Sequence, residues 1–108
     1  MLARRSRLQK SQDIDVVVRR GRRHSTLPLM IWALQKPQGP FRAAVLCSKK
    51  VDKRATGRNK IKRRIREAIR TTLPSRFPTL DLVVSAKPAV KDLTTSDLRE
   101  LLSNVFHI

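Results

Sequence analysis

Gly57-Arg58-Asn59-Lys60-Ile61-Lys62-Arg63-Arg64-Ile65-Arg66-Glu67-Ala68-Ile69-Arg70 is the stretch on which the reading of the fold turns. At about 100° per residue, Ile61, Ile65, Ala68 and Ile69 share one face. Asn59, Arg63, Arg66 and Arg70 line the opposite face, and Lys60 and Arg64 flank it. The spacing predicts a helix over 58–73, closed by Pro74. One side packs; the other carries a ladder of guanidinium groups. Like charges at i,i+4 cost a few tenths of a kcal/mol per pair, and cations near a helix N-terminus oppose its dipole. A polyanion reverses the sign of both terms, and the arginine fork meets phosphate bidentately. The plain alternative is a solvated face. Charges of nearly one sign, opposed only by Glu67, weigh against it, as does a basic stretch that already begins at Lys49.

Upstream, Ile14, Val17 and Val18 recur at i, i+3, i+4 and predict a helix over 12–20. Ser11 is its expected N-cap, Asp13 lies in its first turn, and Gly21 is expected at the left-handed C′ position. Residues 1–10 read as a basic arm, poorly ordered at its start. Residues 22–26 read as a short strand cut at Pro28. Leu29 to Leu34 is an apolar run expected to be a strand covered on both faces. A turn follows at Pro37, Gly39 and Pro40. The strand over 41–48 puts Phe41, Ala43, Val45 and Cys47 on one face and Arg42, Ala44, Leu46 and Ser48 on the other. Downstream, Leu82-Val83-Val84 centres a strand. A last helix, capped by Thr94 or Thr95, carries Leu98, Leu101, Leu102 and Val105. Helix, strands, helix, strand, helix describes an α/β layer of one sheet with helices packed on it.

The chain has 108 residues, one domain's worth. Lys and Arg number 25 against 8 Asp and Glu, a formal net charge of +17. Repulsion at that level opposes compaction, and a partner that releases counterions offsets it. Nucleic acid is the leading candidate. No apolar run approaches the ~20 residues that span a bilayer, and no apolar segment follows the basic N-terminus as in a secretory signal. Cys47 is the only cysteine and reads as a buried, inert thiol. A cytoplasmic protein is expected.

No protein catalytic site is legible. Asp13, Asp15, Asp52, Glu67, Asp81, Asp92, Asp97 and Glu100 are scattered, whereas two-metal nucleases need convergent carboxylates. His24 and His107 lie far apart, without companion ligands. No catalytic or metal-binding residue is expected.

The segment Arg58 to Ala68 closely resembles the Arg-Asn-Arg signature of the bacterial ribonuclease P protein component, R-N-R-x-K-R with another Arg three residues on. The resemblance extends over nearly the whole chain: Arg7-Leu8, Asp13 and Gly21 match the family's opening. Ser48-Lys49-Lys50-Val51 matches its S-K-K-V, and Asp81 to Pro88 resembles its late D-hydrophobic-hydrophobic-hydrophobic-x-A-R-P strand. There are departures. Lys60 replaces the third signature Arg, Lys87 replaces another, the loop before Arg58 is one residue longer than is common, and Ile14 and Val18 stand where the family usually has two Phe. The resemblance implies an α-β-β-β-α-β-α two-layer sandwich similar to a ribosomal protein S5 domain 2, spanning 1–108 as one domain. It also implies a left-handed β-α-β crossover, against the general preference.

It further implies two RNA surfaces. Arg58, Asn59, Lys60, Lys62, Arg63, Arg66 and Arg70 would meet the catalytic ribonuclease P RNA. Ile14, Val18, Met30, Trp32, Leu46, Ser48, Lys49 and Lys50 would line a cleft for the 5′ leader of precursor tRNA. Single-stranded bases stack on aromatic side chains, so Trp32 stands open between core filling and stacking. Catalysis would belong to the RNA and its Mg2+, with no cofactor held by the protein, no membrane partner and no small-molecule substrate. The rivals are a small ribosomal or RNA-chaperone protein, or a protein-only nuclease.

Overall fold

The computed structural model describes residues 7–108. The start of the basic arm, residues 1–6, therefore lies outside the described residues. The elements in chain order are α1 (Ser11–Arg20), β1 (Arg22–Ser25), β2 (Leu29–Gln35), β3 (Arg42–Leu46), α2 (Ala55–Thr72), β4 (Leu80–Ala86), a 3-10 turn (Pro88–Asp92) and α3 (Thr95–Phe106). The sheet has the order β1-β2-β4-β3. β2 is antiparallel to both β1 and β4, whereas β3 and β4 run parallel and are joined through α2. The expected α-β-β-β-α-β-α order is therefore observed.

Alternation along the strands divides the core into two layers. Leu29, Ile31, Ala43, Val45, Leu82 and Val84 meet Ile61, Ile65, Ile69 of α2 and Leu98, Leu102 of α3. The other face, with Ala44 and Val83, packs against Val17 of α1 and against Leu8. That second layer is thin. β2 is fully covered only on the Leu29–Ile31 side, while Met30, Trp32 and Leu34 remain half-buried. The expectation of two covered faces fails because the ten-residue α1 is too short to span the sheet.

Two caps differ from expectation. Lys10, not Ser11, takes the N-cap position of α1, and no side chain caps it. Gly21 is extended (φ −72°, ψ 157°) rather than left-handed. Glycine is required there by space: a Cβ would lie 2.5 Å from the Val17 carbonyl oxygen and 3.0 Å from that of Ala33. The helix thus turns directly into β1 against the neighbouring strand. At α3, Thr94 and Asp97 form a reciprocal capping box, Thr94 Oγ1 accepting from Asp97 N and Asp97 Oδ2 from Thr94 N.

Candidate nucleic-acid interface

α2 begins at Ala55, three residues before the expected start, so Arg58 falls in its first turn. Ile61, Ile65, Ala68 and Ile69 are buried as the periodicity requires. The cations on the rest of the helix do not form one ladder. Arg58 Nη1 donates to the carbonyls of Asp52 (3.0 Å) and Lys53 (2.9 Å), tying the preceding loop to the helix. Arg70 Nε donates to Glu67 at 3.1 Å, and its Nη2 closes a second bond to the same carboxylate. The pairing with Arg70 is the largest of the causes that hold the Glu67 carboxyl down at about 2. Arg64 reaches the Lys91 carbonyl at 3.5 Å, on the α3 side. Among the described residues, Asn59, Lys60, Lys62 and Arg63 make no side-chain hydrogen bond or ion pair, and all but Lys62 are exposed.

Arg66 leaves the outer face altogether. It reaches round the edge strand β3 into a groove of about 510 Å3 that it lines with Arg7, Gln9, Ile14, Ala44 and Leu46. The segment before α1 is pinned there. Arg7 forms a parallel bridge to Ala43, Leu8 N donates to the Ala43 carbonyl at 2.7 Å, and the Leu8 side chain is buried. Among the described residues, Arg7 Nε is enclosed without a hydrogen-bond partner. Burial first, and the charge of Arg7 second, lower the pKa of the Arg66 guanidinium. Two cations therefore share a partly desolvated groove, an arrangement that an anionic oxygen relieves. Neither Arg7 nor Arg66 was assigned to this groove by the sequence. The one signal in the sequence is the Arg7-Leu8 pair.

The face under α1 holds the other cleft residues. Ile14 and Trp32 are half-buried and pack against the cluster of Val17, Ala44 and Val83, while Val18 is exposed. Met30, Ser85, Leu46 and Ser25 are paired across the sheet in one row, beyond that cluster. Leu46, at 40% exposure, ends β3 and leads into the loop with Ser48, Lys49 and Lys50. Ser48 Oγ accepts from Lys50 N at 3.3 Å, and both lysines are exposed. Residues 47–54 thus join the open end of this face to the first turn of α2.

The buried acids are committed elsewhere. Asp81 accepts from Arg42 Nε (3.1 Å) and Nη2 (2.8 Å) and pairs with Lys36 Nζ at 2.8 Å. The bond to Asp81, outweighing burial, raises the pKa of Arg42. Asp52 accepts from Arg54 N at 2.9 Å, a bond that lowers its pKa. Burial raises that of the Cys47 thiol. Among the described residues no three His, Cys, Asp or Glu are grouped to hold a metal ion, and no helix is long and apolar enough to cross a membrane.

A family model described as Ribonuclease P matches residues 2–108. The ribonuclease P protein component of an Exiguobacterium species is 35% identical over 100 residues, covering 93% of this chain and 86% of that one. That of Brevibacillus brevis is 36% identical over 104 residues, with 94% and 81% covered. The solved RNase P protein of Staphylococcus aureus superimposes with a TM-score of 0.80 at 28% identity, over 94% of this chain and 93% of that one. The Thermotoga maritima RNase P protein, 22% identical, shares the fold with a TM-score of 0.77 over 92% and 93% of the two chains. With its edge-strand groove, its cationic α2 and a family match over almost its full length, the chain belongs to the ribonuclease P protein family.

Proposed function

We propose that this protein binds the catalytic RNA through α2 and the 5′ leader of precursor tRNA across the sheet face beneath α1. The chemistry of leader removal then belongs to the RNA and its Mg2+. The observation that carries this reading is the junction at β3. The α2 cations that are unpaired among the described residues, the Arg7–Arg66 groove and the Lys49–Lys50 loop lie along one edge strand. Asn59, Lys60, Lys62 and Arg63 serve the RNA contact directly. Arg58 serves it by holding the loop, and Arg66 sits where the two RNA strands would converge. Met30, Trp32, Leu46, Ser48, Lys49 and Lys50 would line the leader path, with Ile14 and Val18 as aliphatic walls from α1. The whole chain acts as one ribonuclease P protein domain in the cytoplasm.

Reconstitution tests this. The protein added to a ribonuclease P RNA at low Mg2+ should restore site-specific cleavage of precursor tRNA, and the protein alone should cleave nothing. Cleavage that survives rigorous removal of RNA, or no restoration by the protein, would overturn the reading.

A further inference from the structure

The strongest charge cluster outside these surfaces is Arg19-Arg20-Gly21-Arg22-Arg23, where α1 turns into the edge strand β1. All four arginines are exposed, and among the described residues none is ion-paired or hydrogen-bonded through its side chain. The cluster lies at the opposite edge of the sheet from β3. Directly opposed residues share a face, so the register places Arg23 beside Trp32 on the α1 face. It places Arg22 and His24 beside Ala33 and Ile31 on the face covered by α2 and α3. The arginines therefore straddle the edge of the sheet. On the far side they border a groove of about 450 Å3, lined by Arg20, Arg22, His24, Phe77, Phe106 and His107 among others. That volume is in the range of about 300–1,000 Å3 typical of ligand sites. Its apolar wall combines aliphatic Ala33, Leu34, Leu80 and Val105 with the half-buried rings of Phe77 and Phe106. His24 and Phe106 have ring centroids 5.8 Å apart, and Phe77 and Phe106 5.6 Å.

Each part has a bland account. Charges on an edge strand discourage pairing with another chain, and Arg19 and Arg20 complement the C-terminal dipole of α1. Neither account explains four like charges within five residues beside a groove that carries two phenylalanine rings. Phosphates on the arginines and a base against an aromatic face are the two contacts by which single-stranded RNA is held.

We propose that the Arg19–Arg23 corner and the His24–Phe106 groove bind single-stranded RNA, and that the strand is the distal part of the precursor's leader. This rests on the reading of the α1 face as the leader path. A strand crossing that face from Leu46 past Met30 and Trp32 arrives at Arg23, with Arg22 and the groove round the corner. The β3-to-β1 crossing is short, about 14 Å at the usual strand spacing, so nucleotides beyond it need another surface.

The test compares precursor tRNAs with leaders of roughly 4 and roughly 16 nucleotides, a range that brackets single-strand site sizes, and mature tRNA, on the reconstituted holoenzyme. Arg20→Ala/Arg22→Ala, two exposed changes, should weaken binding of the long-leader substrate about fivefold or more. The salt slope for that substrate should fall by about 1.4, two single-strand phosphate contacts. Short-leader and mature tRNA binding should be unchanged. Phe106→Leu keeps the apolar volume and removes the π face, and should show the same length dependence without the change in slope. Unaltered long-leader binding in the arginine variant overturns the inference and leaves the corner a solvated surface. A loss equal for all three RNAs overturns it too, by pointing to the catalytic RNA instead. Met30→Ala is the separate control: if it spares both leaders, the leader path across the α1 face fails as well.

Discussion

The Asp52 carboxylate fills the space in which a side chain at position 57 would begin. A Cβ on Gly57 would lie 2.0 Å from Asp52 Oδ2 and 2.4 Å from its Cγ. Asp52 is buried, short and bonded to Arg54 N, so it has little room to retreat. Gly57→Ala should therefore destabilise by about 1–2 kcal/mol, although alanine is the better helix former. Truncating Asp52 in the same chain should recover part of the loss. Thermal melts of the two single variants and the double variant measure this coupling, and additive effects would contradict it.

Gly21 is confined by backbone rather than by a side chain. With the Val17 and Ala33 carbonyl oxygens 2.5 and 3.0 Å from its would-be Cβ, nothing yields cheaply. Gly21→Ala should cost about 2 kcal/mol or more, and no second-site truncation of a neighbouring side chain should rescue it. Denaturant midpoints of the variant, alone and combined with such truncations, check this.

Arg63 and Arg58 should separate binding from folding. Arg63 is exposed and unpartnered among the described residues. Arg63→Ala should leave the melt unchanged while lowering the salt slope of RNA binding by about 0.7–0.9. Arg58 holds two loop carbonyls, so Arg58→Ala should also destabilise by about 1 kcal/mol. Equal melts for the two variants would contradict the division.

Trp32 packs under α1 as well as flanking the open row of Met30. Trp32→Leu should cost about 1–2 kcal/mol of stability and also weaken binding of leader-bearing substrate, with mature tRNA unaffected. Loss of stability with leader affinity intact would mark it as core alone.

Acid sensitivity should follow burial rather than the size of a carboxyl's shift. Asp52 and Glu67 are both depressed below their ordinary values. Such a group contributes stability that is present above its unfolded pKa and lost as pH falls through its folded pKa. For both carboxyls that window opens near about pH 4 and extends downward. Glu67 pairs with an arginine whose side chain is 47% exposed, and solvent screens that pair. Asp52→Asn should flatten the acid limb of the stability profile, and Glu67→Gln should change it little. Urea midpoints between about pH 5 and 2 distinguish the two.

Local order was readable in this chain because each element buries one face. The 3.6-residue spacing of Ile61, Ile65 and Ile69 holds in the structure, and Ala43 and Val45 share one face of β3, with Phe41 and the half-buried Cys47 packed on the same cluster from just outside the strand. The net charge of +17 pointed to a polyanion for equally general reasons. α2 starts earlier than the spacing predicts because Asp52 accepts from the backbone N of Arg54, the N-cap residue, and Arg58 holds the Asp52 and Lys53 carbonyls, contacts that no apolar period reveals.

By itself the sequence determined where the helices and strands lie, most of their inward faces and the need for a polyanionic partner. These depend on the period of apolar residues and on summed charge, both local or additive properties. Only the tertiary structure decided that β4 enters between β2 and β3. It alone put Arg66 beside Arg7 and made Gly21 a matter of space instead of handedness. A helical wheel places Arg63 and Arg66 on one face of α2. Which of them stays in solvent and which wraps into a groove depends on where β3 ends the sheet beneath the helix, and that edge exists only once four separate strands have paired.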